Sequence, residues 1–156
     1  MKQTTITLIL TAIALAVVLS GCDLFGTQPD ARLQQFVDDA SASPRTATDM
    51  QRHFSPDAND YGSMNTLAYW ETSFFAFEDG PFALGPIAVG DADSRYPGSR
   101  TATSSIKNNL GPTMYGLTAV FVKDGLDWVI RELAITVGEN VDEFKNIAPD
   151  GVWSIR

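Results

Sequence analysis

The sequence predicts an α+β domain in which N-terminal helices pack on a strongly bent antiparallel sheet. Leu33, Phe36, Val37 and Ala40 recur at i, i+3, i+4 and i+7, the apolar stripe of an amphipathic helix. Tyr115, Leu117, Ala119 and Phe121 alternate instead, as one face of a strand does. Asp124-Gly125 then turns the chain into a second apolar run whose parity changes midway, which predicts a bulge and a bend.

The chain opens on Lys2 and an uncharged apolar run of 16 residues, Thr4 to Leu19, closed by Ser20-Gly21-Cys22. A membrane-spanning helix needs about twenty apolar residues. This run is shorter and ends in small residues, the layout of a cleaved export signal. Leu19-Ser20-Gly21-Cys22 resembles the lipobox of a bacterial lipoprotein. The resemblance implies removal of residues 1–21 and acylation of Cys22, the only thiol in the chain. Several acyl chains hold a protein stably at a bilayer, at about 0.8 kcal/mol per buried methylene. The implied location is the cell envelope, with the domain lipid-anchored and facing the periplasm or the exterior. Asp23 follows the acylation site, a position at which enteric-type lipoproteins resembling this one stay at the inner membrane. Residues 22–29 read as a short linker.

The body begins at Asp30, which stands where an N-cap would, ahead of the first apolar stripe. Ser41 to Pro44 interrupt it. A second short helix is expected from about Ala47 to Phe54, capped by Thr46 or Thr48, with Met50 and Phe54 inward, and Ser55-Pro56-Asp57 ends it. Asn65 to Phe75 reads as a third helix or an irregular aromatic turn. Its rings are too many for one narrow stripe.

After Gly80 the pattern becomes extended. Pro81 to Val89 contains Gly85-Pro86 and reads as a kinked or edge strand. Gly90 to Ser99 is a loop, Arg100 to Asn108 a strand with one solvated face, and Asn109 to Pro112 a turn. In the final hairpin, Trp128 and Ile130 share one parity, and Leu133 and Ile135 have the other. One extra residue near Arg131-Glu132 would return all four to one face. The tail, residues 137–156, carries Val141, Phe144, Ile147, Val152, Trp153 and Ile155. It is too apolar for a disordered end and is expected to pack on the domain or pair at a sheet edge.

Helices followed by a bent sheet ending in Phe121-Val122-Lys123-Asp124-Gly125-Leu126-Asp127-Trp128-Val129-Ile130-Arg131-Glu132-Leu133-Ala134-Ile135 resemble the NTF2-like superfamily, which includes SnoaL-like cyclases and ketosteroid isomerases. The resemblance covers residues 30–136. It implies a cone with a pocket between the sheet and the helices, with Tyr69, Trp70, Phe74, Tyr115 and Trp128 as the residues to line it. The same rings also read as ordinary core.

Net charge is −8, and removing Lys2 leaves 10 basic side chains against 19 acidic ones. A body this acidic is repelled by phosphate backbones, so nucleic acid is excluded as a partner. A single cysteine excludes an internal disulfide. His53 is the only histidine, and beside Phe54 at a helix end it reads as a surface or capping residue. No catalytic residue, metal site or cofactor is assigned. Zinc would lack ligands, and the acidic loops Asp57 to Asp60 and Asp91 to Asp93 lack calcium-loop spacing and read as solvated turns.

These readings converge on a membrane-anchored lipoprotein whose domain binds a small apolar ligand or a protein partner. The alternatives are a lipid-anchored isomerase or cyclase using the cone pocket, and a structural domain that dimerises through its sheet.

Overall fold

The structure, a computed structural model, describes residues 26–78, 80–108, 111–137 and 144–156. The export signal, Cys22, Asp23, the first half of the turn at 109–112 and Val141 lie outside the described residues. The fold is α+β, with four short helices and a six-stranded antiparallel sheet among the described residues.

Helix α1 spans Pro29–Ser41 and buries Leu33, Phe36, Val37 and Ala40 completely. Its N-cap is Gln28 rather than Asp30, because Pro29 takes the first helical position, where its missing N–H costs nothing. Asp30 therefore lies in the first turn, where a carboxylate complements the helix dipole. Helix α2, Ala47–Gln51, is capped by Thr46, whose hydroxyl accepts from the Asp49 N–H at 3.1 Å. It is shorter than expected. Phe54 lies beyond its end but stays buried, bridged to Ile130 of the sheet.

The aromatic segment resolves into two single-turn helices, α3 (Leu67–Trp70) and α4 (Phe74–Phe77). Splitting the segment lets its rings point in different directions, which one stripe could not.

The strands are β1 (Phe82–Leu84), β2 (Ala88–Gly90), β3 (Arg100–Asn108), β4 (Met114–Asp124), β5 (Asp127–Thr136) and β6 (Val152–Ile155). Their order is β1-β3-β4-β5-β6, and β2 also pairs with β3. The kinked strand expected at 81–89 is thus two short strands on one edge of β3, with the Gly85 N–H donating to the Ser105 carbonyl between them at 2.8 Å.

The β4–β5 turn is Gly125-Leu126, flanked by the paired Asp124 and Asp127. Gly125 has φ of +61°, the left-handed value this two-residue hairpin requires at its first central position. Val120 pairs with Glu132 and Phe121 with Ile130, so Arg131 is the extra residue of a bulge. The bulge returns Ile130, Leu133 and Ile135 to the face that carries Leu117, Ala119 and Phe121, and all six are buried.

The described part of the tail, Val137 and residues 144–156, packs on the domain. β6 pairs with β5, and Trp153 and Ile155 join the core face. Phe144 is fully buried, stacked on Phe74 at 5.6 Å. Each fully buried ring of this kind contributes about 1.5–3 kcal/mol relative to exposure.

Candidate functional site

The first described residues are docked, not trailing. The Thr27 N–H donates to Asp127 Oδ1 at 2.7 Å, and its carbonyl accepts from the Trp128 N–H at 3.0 Å. Arg32 of α1 completes the clamp. Its Nε donates to the Trp128 carbonyl at 3.0 Å, and a terminal nitrogen lies 3.7 Å from Asp127. The Thr27 amide, first, and then Arg32 hold Asp127 below the usual carboxylate range. Gly26 has φ of +71°, and a Cβ there would sit 2.0 Å from the Leu126 carbonyl oxygen. Residues 26–29, expected as linker, are therefore part of the domain.

The five aromatic residues fall in three places. Tyr69 and Trp70 meet edge to face at 5.2 Å. Trp70 is buried beside Phe36 and Phe54, and its indole N–H donates to the Met64 carbonyl at 2.7 Å. Tyr69 is half-buried, and its hydroxyl donates to Asp60 at 3.2 Å; burial first and the Asp60 charge second push the phenol's pKa up. Phe74 and Tyr115 pack at 5.0 Å with Phe144 against both, and the Tyr115 hydroxyl donates to Glu78. Trp128 stands at the hairpin end, with the Lys123 ammonium 4.7 Å above its ring.

The structure does not bring these five around one cavity. Phe36, Phe54, Phe74, Phe75, Phe144 and Trp153 pack ring against ring at 5.3–5.7 Å. Tyr69 borders a cleft of 190 Å³ beside Trp153 and Ser154. Trp70 borders another, of 320 Å³, beside Arg45 and Leu67.

His53 is the clearest departure from the sequence reading. It is buried, 1 % exposed, rather than at the surface. Arg32 offers only donors, so Nδ1 of His53 accepts from Arg32 at 3.5 Å and Nε2 carries the proton, donating to Asp39 at 2.6 Å. Burial lowers the imidazole pKa, against the opposing pull of Asp39, and favours the neutral ring. The His53 carbonyl accepts from the Ile130 N–H at 2.8 Å. The residue therefore ties α1, the end of α2 and β5 together, and its geometry is that of a structural strut.

A charged cluster that sequence reasoning missed lies on the opposite sheet face. Arg95 grips Glu132 through two nitrogens, at 3.1 and 2.7 Å, and Asp93 at 2.8 Å. The Tyr96 hydroxyl donates to Glu132 at 2.6 Å, while Arg95 and Arg131 stack on its ring at 5.3 and 5.2 Å. The bonds from Arg95 hold Asp93 below its ordinary pKa. A cleft of 370 Å³ beside the cluster is lined by Arg95, Glu132, Ala134, Val152, Ser154 and Arg156. Its mix of charged and apolar groups suits a polar surface partner better than an apolar small molecule.

Among the described residues no helix is long and apolar enough to cross a membrane, and no group of three His, Cys, Asp or Glu side chains could hold a metal ion. Comparison with protein-family models, curated proteins and solved structures finds no match.

Proposed function

We propose that the chain is a bacterial lipoprotein, acylated at Cys22, that presents an NTF2-like domain at the cell envelope to bind a partner through its surface. The domain faces the periplasm or the exterior. The assignment to the NTF2-like cone is supported by helices preceding an antiparallel sheet and by the bulged last hairpin. Lipid attachment is supported by Leu19-Ser20-Gly21-Cys22 and by the docking of Gly26 and Thr27, which leaves only a short tether.

The observation that carries surface binding is the filled interior. Aromatic rings pack against one another in the core, and Trp70 and Phe74 are 2 % and 0 % exposed. The one histidine is committed to Asp39 and Arg32. Surface recognition and tethering then remain as the work of the domain.

Replacing residues 1–22 with an ordinary cleaved export signal that leaves no cysteine tests the reading by membrane fractionation. The wild-type protein is expected with the membranes and the variant in the soluble fraction. A processed variant that stays with the membranes would contradict it.

Dimerisation through the sheet is favoured by one observation. The rows Thr103–Thr118–Ala134–Ser154 and Ser105–Gly116–Thr136–Val152, on the face away from the core, carry no charge. Light scattering decides between one copy and two.

A further inference from the structure

The clamp at Thr27 has a geometric consequence for the anchored protein. Gly26 lies against the tip of the β4–β5 hairpin, its α-carbon side facing the Leu126 backbone. Thr27 and Arg32 are fastened to Asp127 and Trp128, the first residues of β5. The chain therefore leaves the domain at that tip. Cys22 precedes Gly26 by four residues. Whatever their conformation, four residues span at most about 14 Å.

The tip itself has the chemistry of a bilayer contact. Leu126 is the most exposed large apolar side chain among the described residues, at 68 %. Beside it, Lys123 lies over the half-buried Trp128, with its ammonium donating to the Leu126 carbonyl at 2.9 Å. A leucine, a tryptophan and a lysine are the side chains that suit the headgroup boundary, where a ring is half wet and a long cation reaches phosphate. Arg32 lies 3.7 Å from Asp127, and Lys123 stands on the same hairpin as Asp124, on a molecule whose net charge is −8. The rest of that acidic body is repelled by an anionic leaflet.

We infer that the β4–β5 hairpin tip is a lipid-contacting surface, which orients the domain with Leu126 at the bilayer and the start of β4 pointing away. The inference rests on the acylation of Cys22 proposed above. Met114, at the other end of β4 and 66 % exposed, is the natural control. An eleven-residue strand separates the two by about 33 Å.

The experiment uses the full chain, processed and purified from membranes, as Leu126→Cys and Met114→Cys variants. Cys22 is the only native cysteine, and its acylation leaves the introduced thiol as the single site for an environment-sensitive fluorophore. Both positions are exposed, so neither change disturbs the core. The labelled proteins are placed in phosphatidylcholine vesicles containing brominated lipid. The probe at 126 is expected to shift to the blue and be quenched by the brominated lipid, while the probe at 114 stays unquenched and open to an aqueous quencher. Intact mass of each sample separates the two possible failures. An acylated protein with equally wet probes would overturn the orientation and leave the lipoprotein reading standing. A protein without acyl mass on Cys22 would overturn both.

Discussion

Thr27 and Asp127 are bonded across a separation of 100 residues, amide to carboxylate, at 2.7 Å. That one contact joins the start of the folded domain to the turn of its longest hairpin. It sets the hairpin turn beside the start of α1, at the end of the domain nearest the tether.

Gly26→Ala is expected to loosen this junction. The added methyl would meet the Leu126 carbonyl, and φ of +71° is costly for any residue with a Cβ. A cost of about 1–3 kcal/mol is expected for such a site. Denaturant unfolding measures it, and faster amide exchange at Thr27 and Trp128 locates it. Unchanged exchange at both would show that the junction does not hold these residues.

Asp127→Ala removes the acceptor of the same junction. About 1 kcal/mol is expected, because the carboxylate is half-exposed and its partners regain water. Amide exchange should again rise at Thr27 while the core of β4 keeps its protection.

Stability should fall as the pH drops below about 6.5, the ordinary histidine value. Burial lowers the His53 pKa in the folded state, so between the folded and unfolded values the unfolded chain binds the extra proton. The contribution is complete above the unfolded pKa and is lost as the pH falls towards the folded one. The depressed carboxylates, Asp93 and Asp127, act at lower pH, below their ordinary value of 3.8. Because His53 is the only histidine, a His53→Asn variant should unfold at the same denaturant concentration at pH 7 and pH 5.5. A wild-type midpoint that does not move between those values would contradict the neutral, buried ring.

Deleting Arg131 should keep the fold and straighten β5. Without the bulge residue, Glu132 follows Ile130 in regular alternation, so Ile130, Leu133 and Ile135 stay on one inward face. Near-ultraviolet dichroism should be retained, and its loss would show that the core needs the bend itself. Arg131→Ala keeps the register and should cost only about 1 kcal/mol, from its stacking on Tyr96.

Phe74→Ala should cost about 3–5 kcal/mol. Phe74 is fully buried against Phe75, Phe82, Tyr115 and Phe144, and the surrounding rings are too many to collapse into the space. Thermal unfolding by calorimetry gives the value.

The legible parts of this fold are those whose signal is local. The stripe from Leu33 to Ala40 reads as helix because the period and the burial come from neighbouring residues. The bulge was visible for the same reason, since the parity of Ile130 and Leu133 conflicts within one strand. His53 was misread because its partners, Asp39 and Arg32, are on another helix and no pattern around His53 points to them. Arg95 and Glu132 are 37 residues apart, and so are Glu78 and Tyr115. The aromatic segment failed differently. Composition announces burial there, but the break between Trp70 and Phe74 depends on what each ring meets.

Cys22 is the residue on which the proposed anchoring depends. Intact mass spectrometry of the protein extracted from membranes should find a chain that begins at Cys22 and carries the added mass of a diacylglyceryl group. A chain that still begins at Met1, or one that begins at an unmodified Cys22, would contradict the account.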